Sequence, residues 1–354
     1  MMNPFYTAEH QAFRETVRRF VEKEIEPFAN KWDEEGSFPR DLHRKASNVG
    51  LLQLNFPEEY GGIPADRLLV ALVSQELARA GTGGVVASLL SHALALPPIA
   101  KLGSEGGKRR VLPAVLSSEA IAALAITEPE GGSDVAQLRT RARRDGDHYV
   151  VDGEKTFITS GIRADFLTVA VRTGGPGMSG ISLLMIDGDT PGLTRTPLKK
   201  MGWHASDTAT LYFDGCRVPV ENLIGSENSG FKPIALNFND ERLNMAASAI
   251  GTAQVACEQA LVWAQVRQTF GKRIIDHQVI RHKLVDMLQK VRASEAFLEM
   301  TAWRLVRGID AVADLCMLKN QATQTLAYCA SEAAQILGGA GFLRGSKVDA
   351  STEK

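Results

Sequence analysis

The sequence predicts a mainly α-helical protein with a β-rich middle domain. Apolar residues recur at helical spacing before and after a central segment, which instead carries short β-branched and aromatic runs. A chain of 354 residues exceeds what one hydrophobic core usually fills, so two or three domains are expected. We place a helical domain at residues 1–121, an antiparallel β-barrel or sandwich at 122–232 and a four-helix bundle at 233–354.

Bulk composition is typical of a folded globular protein. Apolar residues make up 44% and charged residues 23%. The formal net charge of -1 argues against a nucleic-acid partner. Residues 1–13 lack the apolar core of a signal peptide, and the apolar stretch 85–100 is interrupted by polar residues and prolines, so neither export nor a membrane span is predicted. The four cysteines are widely spaced, which indicates reduced thiols in a cytoplasmic protein.

The N-terminal segment has the pattern of several helices. Apolar residues between Ala12 and Ile25 recur at helical spacing among Arg, Lys and Glu, and residues 67–80 repeat the pattern. Glycines at 81–84 and prolines at 97–98 are turn signals. We therefore expect helices that end at these turns.

The middle segment has the pattern of strands. The turn-forming pairs Asp145-Gly146 and Asp152-Gly153 predict hairpins of an antiparallel meander. Strands are predicted at residues 149–151, 156–159, 166–171, 181–186 and 210–213.

Helical periodicity returns after Gly230. A long apolar helix is expected first, followed by helices at about 278–307, 310–327 and 328–338. Long helices with short connections indicate a bundle.

Two familiar kinds of site are not supported. Residues 175–180 satisfy the GxGxxG pattern, but the following residues 181–186 read as a strand, whereas a dinucleotide fingerprint must open a helix. A hairpin loop is therefore favoured. His277 and His282 lie five residues apart, which does not place two imidazoles on one helical face, so no metal site is predicted.

Three segments could carry chemistry, and each has a structural alternative. Residues 127–134 (TEPEGGSD) could present N–H and hydroxyl groups to flavin carbonyls or a phosphate, or form a plain turn. Phe157 in residues 157–161 (FITSG) could pack on a planar cofactor or face the core. Residues 239–242 (NDER) lie between apolar neighbours and could supply a general base or a structural ion pair.

Five motifs, taken together in order, resemble the acyl-CoA dehydrogenase family. The likeness extends from about residue 10 to about residue 345. It implies N-terminal helices, a middle β-domain, a C-terminal four-helix bundle and noncovalently bound FAD. The motifs are residues 126–134 (ITEPEGGSD), 157–159 (FIT), 202–208 (GWHASDT), 267–272 (RQTFGK) and 335–342 (QILGGAGF).

The resemblance implies which residues contact the flavin. Family members often carry tryptophan at the position of Phe157. Arg267 would make a charge-assisted contact to the pyrophosphate of a neighbouring subunit's cofactor, so a homodimer or homotetramer is implied. The residues of one chain that would line and cover its flavin are Leu124, Ile126, Thr127, Gly132, Ser133, Phe157, Ile158 and Thr159. Those that would reach the neighbouring cofactor are Arg267, Thr269, Phe270, Gln278, Gln335, Gly338 and Gly339.

The resemblance also implies a reaction. Residues 236–242, which end in Glu241-Arg242, look like the long-chain and isovaleryl-type branch, whose base lies in the helix that carries a Leu-x-x-Glu-Arg pattern. This makes Glu241 the expected base. Ser133, Asn239 and Arg242 would lie along the acyl-CoA. The expected reaction is α,β-dehydrogenation to a trans-2-enoyl-CoA, as in fatty-acid β-oxidation, with an electron-transfer flavoprotein as electron acceptor.

The end of the chain departs from the family pattern. Residues 346–354 do not match the usual continuation after the glycine-rich motif, so a shortened C-terminus with weaker FAD and subunit contacts is expected. Two alternative functions therefore stay open. One is an inactive relative that serves as a subunit or binding partner, and the other is an acyl-CoA oxidase or flavin monooxygenase on the same fold.

Overall fold

The computed structural model describes residues 3–343 and residue 345, so the expectation for residues 346–354 lies outside the described residues.

Seven α-helices form the N-terminal part. Side chains of Thr7, Asp66 and Ser104 accept hydrogen bonds from the first turns of α1, α4 and α7, which satisfies N–H groups that a helix leaves free. The helices are α1 (Ala8–Phe20), α2 (Ala29–Glu35), α3 (Asp41–Asn48), α4 (Arg67–Ala78), α5 (Gly83–Leu89), α6 (His92–Leu102) and α7 (Glu105–Leu116).

The proline pair does not act as the predicted turn. Pro97 and Pro98 lie inside α6, where the helix continues to Leu102. The flanking Leu96 and Ile99 are fully buried. Burial of this apolar face therefore outweighs the helix-breaking tendency of proline.

Eight strands form one sheet in the order β6-β7-β3-β2-β4-β5-β8, with β1 beside β4. Most pairs are antiparallel, but β1 and β2 each run parallel to β4, so the sheet is mixed. The strands are β1 (Ala122–Ala125), β2 (Arg141–Asp145), β3 (His148–Ile158), β4 (Phe166–Arg172), β5 (Ile181–Asp187), β6 (Leu193–Pro197), β7 (Ala209–Pro219) and β8 (Leu223–Ile224).

One of the two predicted Asp-Gly turns is a hairpin and the other is not. Gly146, with φ of 63°, turns the β2–β3 hairpin. Asp152-Gly153 lies inside β3, where the register shifts against β7. A β-carbon on Gly153 would lie 2.7 Å from the Thr140 backbone, so this glycine permits a close approach rather than a turn. Residues 175–180 connect the antiparallel strands β4 and β5, which confirms the hairpin-loop prediction.

Long helices form the C-terminal part. Within the described residues these are α8 (Phe231–Val266), α9 (Gln278–Val306) and α10 (Val312–Leu337), with a small hairpin of β9 (Gln268–Thr269) and β10 (Lys272–Arg273) between the first two. The helices predicted at 310–327 and 328–338 are one helix, because no glycine or proline interrupts α10. Leu68 and Ala71 of α4 join the same core as α8, α9 and α10. The N-terminal and C-terminal helices are therefore packed together.

One stretch, Gly83–Leu102, is long and apolar enough to cross a membrane by length and composition alone. Half of its most apolar window is buried inside the fold. Val85, Leu89, Leu96 and Ile99 are all buried in the hydrophobic core. Packing within the protein accounts for its apolar character.

Candidate functional site

Two of the predicted flavin segments lie side by side. The Thr156 backbone N–H donates a hydrogen bond of 2.8 Å to the carbonyl of Thr127. This bond joins the 127–134 loop, which follows β1, to the end of β3. The loop and the 157–159 segment thus form one surface, as a common ligand would require.

The loop presents free donors on its exposed side. Glu128 and Gly131 exchange two backbone hydrogen bonds of 3.1 Å, which makes a tight turn. Gly132 and Ser133 follow on the outside and are exposed. Within the described part of the chain, their backbone N–H groups make no hydrogen bond. Two neighbouring N–H donors without a partner in the described chain, next to the Ser133 hydroxyl group, fit a carbonyl or an anionic group of a ligand.

Phe157 is exposed rather than buried. Its side chain is 68% exposed, so the core alternative for this residue is wrong. Its φ of 60° places the backbone in the left-handed region, which is unfavourable for an aromatic residue. Ser160, with φ of 59°, repeats this conformation three residues later. Strained backbone beside an exposed ring is typical of a binding site.

Other predicted flavin residues contribute differently. Ile126 and Ile158 are buried in the hydrophobic cores, so only their backbone groups are available to a ligand. Leu124 and Thr159 are half-buried.

A buried ion pair lies beneath this surface, and the sequence interpretation did not include it. Lys155 Nζ is 2.7 Å from Glu128 Oε1, and the two side chains are 0% and 6% exposed. The available signal was a lysine at an inward position of β3, next to the buried Thr156. A charged residue there is rare unless it is paired.

The predicted catalytic segment separates into paired and unpaired groups. Asp240 binds Arg67 of α4 at 2.9 Å, and Arg242 donates a hydrogen bond of 2.8 Å to the Asn239 side chain. Among residues 3–343 and 345, no side chain forms a hydrogen bond or ion pair with the Glu241 carboxylate. The ion-pair alternative therefore applies to Asp240 and not to Glu241.

Burial changes the acidity of Glu241. Loss of solvent raises the pKa of this carboxyl, and the nearby Arg242 guanidinium opposes the rise only in part. A carboxylate with a raised pKa is a stronger base once it is ionised.

A cavity of about 720 Å³ lies beside the start of α8. Residues of α6, the 175–180 loop and α8 line it, and Asn237 of its lining is one helical turn before Glu241. Lys101 and Lys232 add two cations to the lining. The cavity has the size of a small-molecule site, and its lining ends on α8 at Asn237.

The remaining predicted flavin residues lie in a different part of the chain. Arg267, Thr269 and Phe270 belong to the β9–β10 hairpin, where Phe270 is 98% exposed. Gln278 begins α9. In the described chain, none of these residues forms a hydrogen bond with the 127–134 loop or with β3. Gln335, Gly338 and Gly339 are likewise exposed, at and after the end of α10.

Sequence and structure comparisons identify the family. Residues 7–119 match the acyl-CoA dehydrogenase N-terminal domain, residues 123–216 the middle domain and residues 228–353 the C-terminal domain. The isobutyryl-CoA dehydrogenase of Dictyostelium discoideum is 35% identical, and the match covers 97% of this chain and 83% of that protein. This chain belongs to the acyl-CoA dehydrogenase family. It is accordingly an oxidoreductase, and its substrate is an acyl-CoA.

Solved structures agree with the family assignment. A probable acyl-CoA dehydrogenase from Mycobacterium abscessus superposes with a TM-score of 0.97 at 46% identity, covering 99% of this chain and 93% of that chain. Butyryl-CoA dehydrogenase from Megasphaera elsdenii superposes with a TM-score of 0.94 at 30% identity, covering 99% and 94%. The predicted fold class, mainly α-helical with a β middle domain between two helical parts, is confirmed. In finer detail, the middle domain has one mixed sheet, and the C-terminal part has three long helices among the described residues rather than the predicted four.

Proposed function

We propose that this dehydrogenase catalyses FAD-dependent α,β-dehydrogenation of an acyl-CoA thioester to the trans-2-enoyl-CoA. The observation that carries the proposal is the Glu241 carboxylate, which has no hydrogen-bond or ion-pair partner among the residues that the structure describes, while Asp240 is paired with Arg67 and Arg242 is hydrogen-bonded to Asn239. A base must be free to accept a proton, and a paired carboxylate would lose its ion pair on doing so.

Glu241 takes the α-proton of the thioester. Burial raises its pKa, so the protonated product form is less unfavourable than for an exposed glutamate. Arg242, held by Asn239, opposes part of this rise in pKa, because its positive charge favours the ionised carboxylate. This assignment places the enzyme in the branch with its base in the Leu-x-x-Glu-Arg helix.

The residues at the surface of the β-domain fit a flavin. The N–H groups of Gly132 and Ser133, which make no hydrogen bond among the described residues, would donate to its polar groups, and the exposed Phe157 ring would pack against its planar ring system. A bound flavin supplies the acceptor for the hydride that leaves the β-carbon. Thr127 and Thr159 lie on the same surface and add hydroxyl groups.

A second copy of the chain completes the site in this proposal. The exposed Arg267 and Phe270 extend from the bundle on the β9–β10 hairpin, and Gln278, Gln335, Gly338 and Gly339 are also exposed. In the described chain these residues form no hydrogen bond with their own chain's loop, so they are available to a neighbouring one. A homodimer or homotetramer follows, with an electron-transfer flavoprotein as the electron acceptor.

The experiment is a spectrum of the purified protein, titrated with acyl-CoAs of different chain lengths under anaerobic conditions. We expect bound yellow flavin that is bleached by at least one acyl-CoA. Protein without flavin would support an inactive relative, and rapid reoxidation with oxygen consumption would support an oxidase. Bleaching that persists at the normal rate in Glu241→Gln would contradict the assigned base.

A further inference from the structure

We propose that Lys155 is a positioning residue, which acts through Glu128 to hold the 127–134 loop in the form that receives the flavin. The inference rests on the proposed function and deepens it, because it names a residue that does not line the flavin surface. The structural feature that carries it is a fully buried ammonium group bonded to two different points of the loop region.

The contacts of Lys155 join separate segments. Its Nζ donates to the carbonyl of Ile126 at 2.9 Å and to Glu128 Oε1 at 2.7 Å. Both acceptors flank Thr127, whose carbonyl accepts the N–H of Thr156. Three hydrogen bonds from two consecutive residues of β3 therefore hold three consecutive residues at the start of the loop.

Glu128 extends the same network to the far end of the loop. Its carboxylate accepts the backbone N–H groups of Arg139 at 2.5 Å and Thr140 at 2.9 Å. One buried carboxylate thus closes residues 128–140 into a loop and attaches that loop to Lys155. Gly132 and Ser133, with their free N–H groups, lie on the exposed side of the closed loop.

The strand beyond Lys155 is placed by the same contacts. Phe157 follows two residues later in its left-handed conformation, and its ring is exposed. Since Lys155 points inward and Phe157 outward, the ammonium group holds the loop from behind the flavin surface. The separation between the loop donors and the Phe157 ring depends on this attachment.

Stability alone does not explain the ion pair. A buried ion pair is often no more stabilising than an apolar pair of the same volume, because both charges lose their hydration. Burial lowers the pKa of Lys155 to about 8, with Glu128 opposing the change. The pair is buried despite this desolvation cost, which is consistent with a role in fixing the loop.

The test compares flavin release and stability in three variants. Lys155→Met leaves Glu128 charged and buried, whereas Lys155→Met combined with Glu128→Gln leaves an uncharged pair. Tyr149→Phe is the matched control, because Tyr149 is buried on the same strand and loses only its 2.8 Å bond to Glu227. Flavin release on dilution is followed by flavin fluorescence, and the thermal midpoint is measured on flavin-free protein.

We expect Lys155→Met to release flavin about tenfold faster or more and to unfold at a lower temperature. The double variant should recover most of the thermal midpoint, because no unpaired charge stays buried, yet still release flavin fast with a shifted flavin absorption band. Tyr149→Phe should release flavin at the wild-type rate. This split between stability and flavin release is what a purely structural ion pair would not produce.

Two results would overturn the inference, and they are distinguishable. Wild-type protein that binds flavin, together with a double variant that releases it within about twofold of the wild-type rate, would contradict the role of Lys155 alone. Wild-type protein that binds no flavin would overturn the proposed function and this inference together.

Discussion

At the scale of single residues, the decisive feature is which charge in the 239–242 segment is free. Asp240 and Arg242 each have a partner, while Glu241 is half-buried and has none within the described part of the chain. A lone desolvated carboxylate is unfavourable for folding, since burial favours its protonated form. A buried carboxylate without a partner among the described residues is consistent with a functional role, and two predictions test that role.

Replacement of Glu241 by glutamine should abolish turnover without loss of flavin. The amide keeps the size of the side chain but cannot accept the α-proton, so kcat should fall by at least about 100-fold. Anaerobic bleaching by acyl-CoA is the measurement. The adjacent Asp240→Asn is the control, because it removes the ion pair with Arg67 and should leave bleaching largely intact. Equal losses in both variants would contradict a specific role for Glu241.

Replacement of Arg242 by glutamine should move the pH profile. The base works when deprotonated, so kcat/KM falls as pH drops through its raised pKa. The Arg242 charge lowers that pKa, and its removal should move the acidic limb to higher pH. The measurement is the pH midpoint of the acidic limb of the kcat/KM profile. Loss of a substrate contact alone would change KM but would leave this midpoint where it is. A limb that shifts to lower pH would refute the prediction.

At the scale of elements, α8 combines packing with function. It carries Glu241 near its start, and a stripe of buried alanines faces the other helices of the bundle. Gly251 lies where α8 passes α4, and a β-carbon there would be 2.6 Å from the Gln75 carbonyl. The absence of a side chain at this position sets how closely the two helices approach.

Replacement of Gly251 by alanine should destabilise the protein, although alanine is the better helix former. The helical preference gains about 1 kcal/mol, but a clash with backbone atoms that cannot rotate away costs about 1–3 kcal/mol. Gly106→Ala in α7 is the control, because its added β-carbon would meet nothing within 4 Å. Thermal midpoints should fall for the first variant and stay equal or rise for the second.

At the scale of the whole molecule, the domains are joined by buried polar contacts. Ser206 of the 202–208 motif binds Ser88 of α5 at 2.9 Å, and Ser160 Oγ donates to the Ser88 carbonyl at 3.1 Å.

His43 and His92 are buried among the N-terminal helices, and burial lowers the pKa of each from 6.5 to about 4. The folded state therefore favours the uncharged form of both imidazole rings.

Acidification should therefore destabilise the folded protein between about pH 6.5 and pH 4. Below pH 6.5 the unfolded chain binds protons that the two buried histidines exclude, so their contribution to stability is present above 6.5 and is lost as pH falls towards 4. Each histidine changes the unfolding free energy by up to about 1.4 kcal/mol per pH unit in this window. Thermal midpoints of wild type and His43→Leu across the window isolate one histidine. If the thermal midpoints of wild type and His43→Leu fall in parallel as the pH is lowered, the prediction is contradicted.

Some elements could be predicted locally and others could not. The hairpin at Gly146 follows from its turn residues, and β4 and β5 follow from their β-branched runs. Pro97 and Gly153 carry the local signals of turns, but burial of the face flanking Pro97 and the close approach of Gly153 to Thr140 decide their conformations. Local patterns fail where distant segments pack against the residue.

The sequence by itself determined the fold class and the family, because helical and strand periodicity and the spacing of five motifs are properties of neighbouring residues. Only the tertiary structure decided that Asp240 rather than Glu241 is paired, that Phe157 is exposed, and that Lys155 binds Glu128. The partners in these ion pairs are 173 and 27 residues apart. Such choices depend on which side chains meet after folding, and hence on burial and charge compensation that no local pattern encodes.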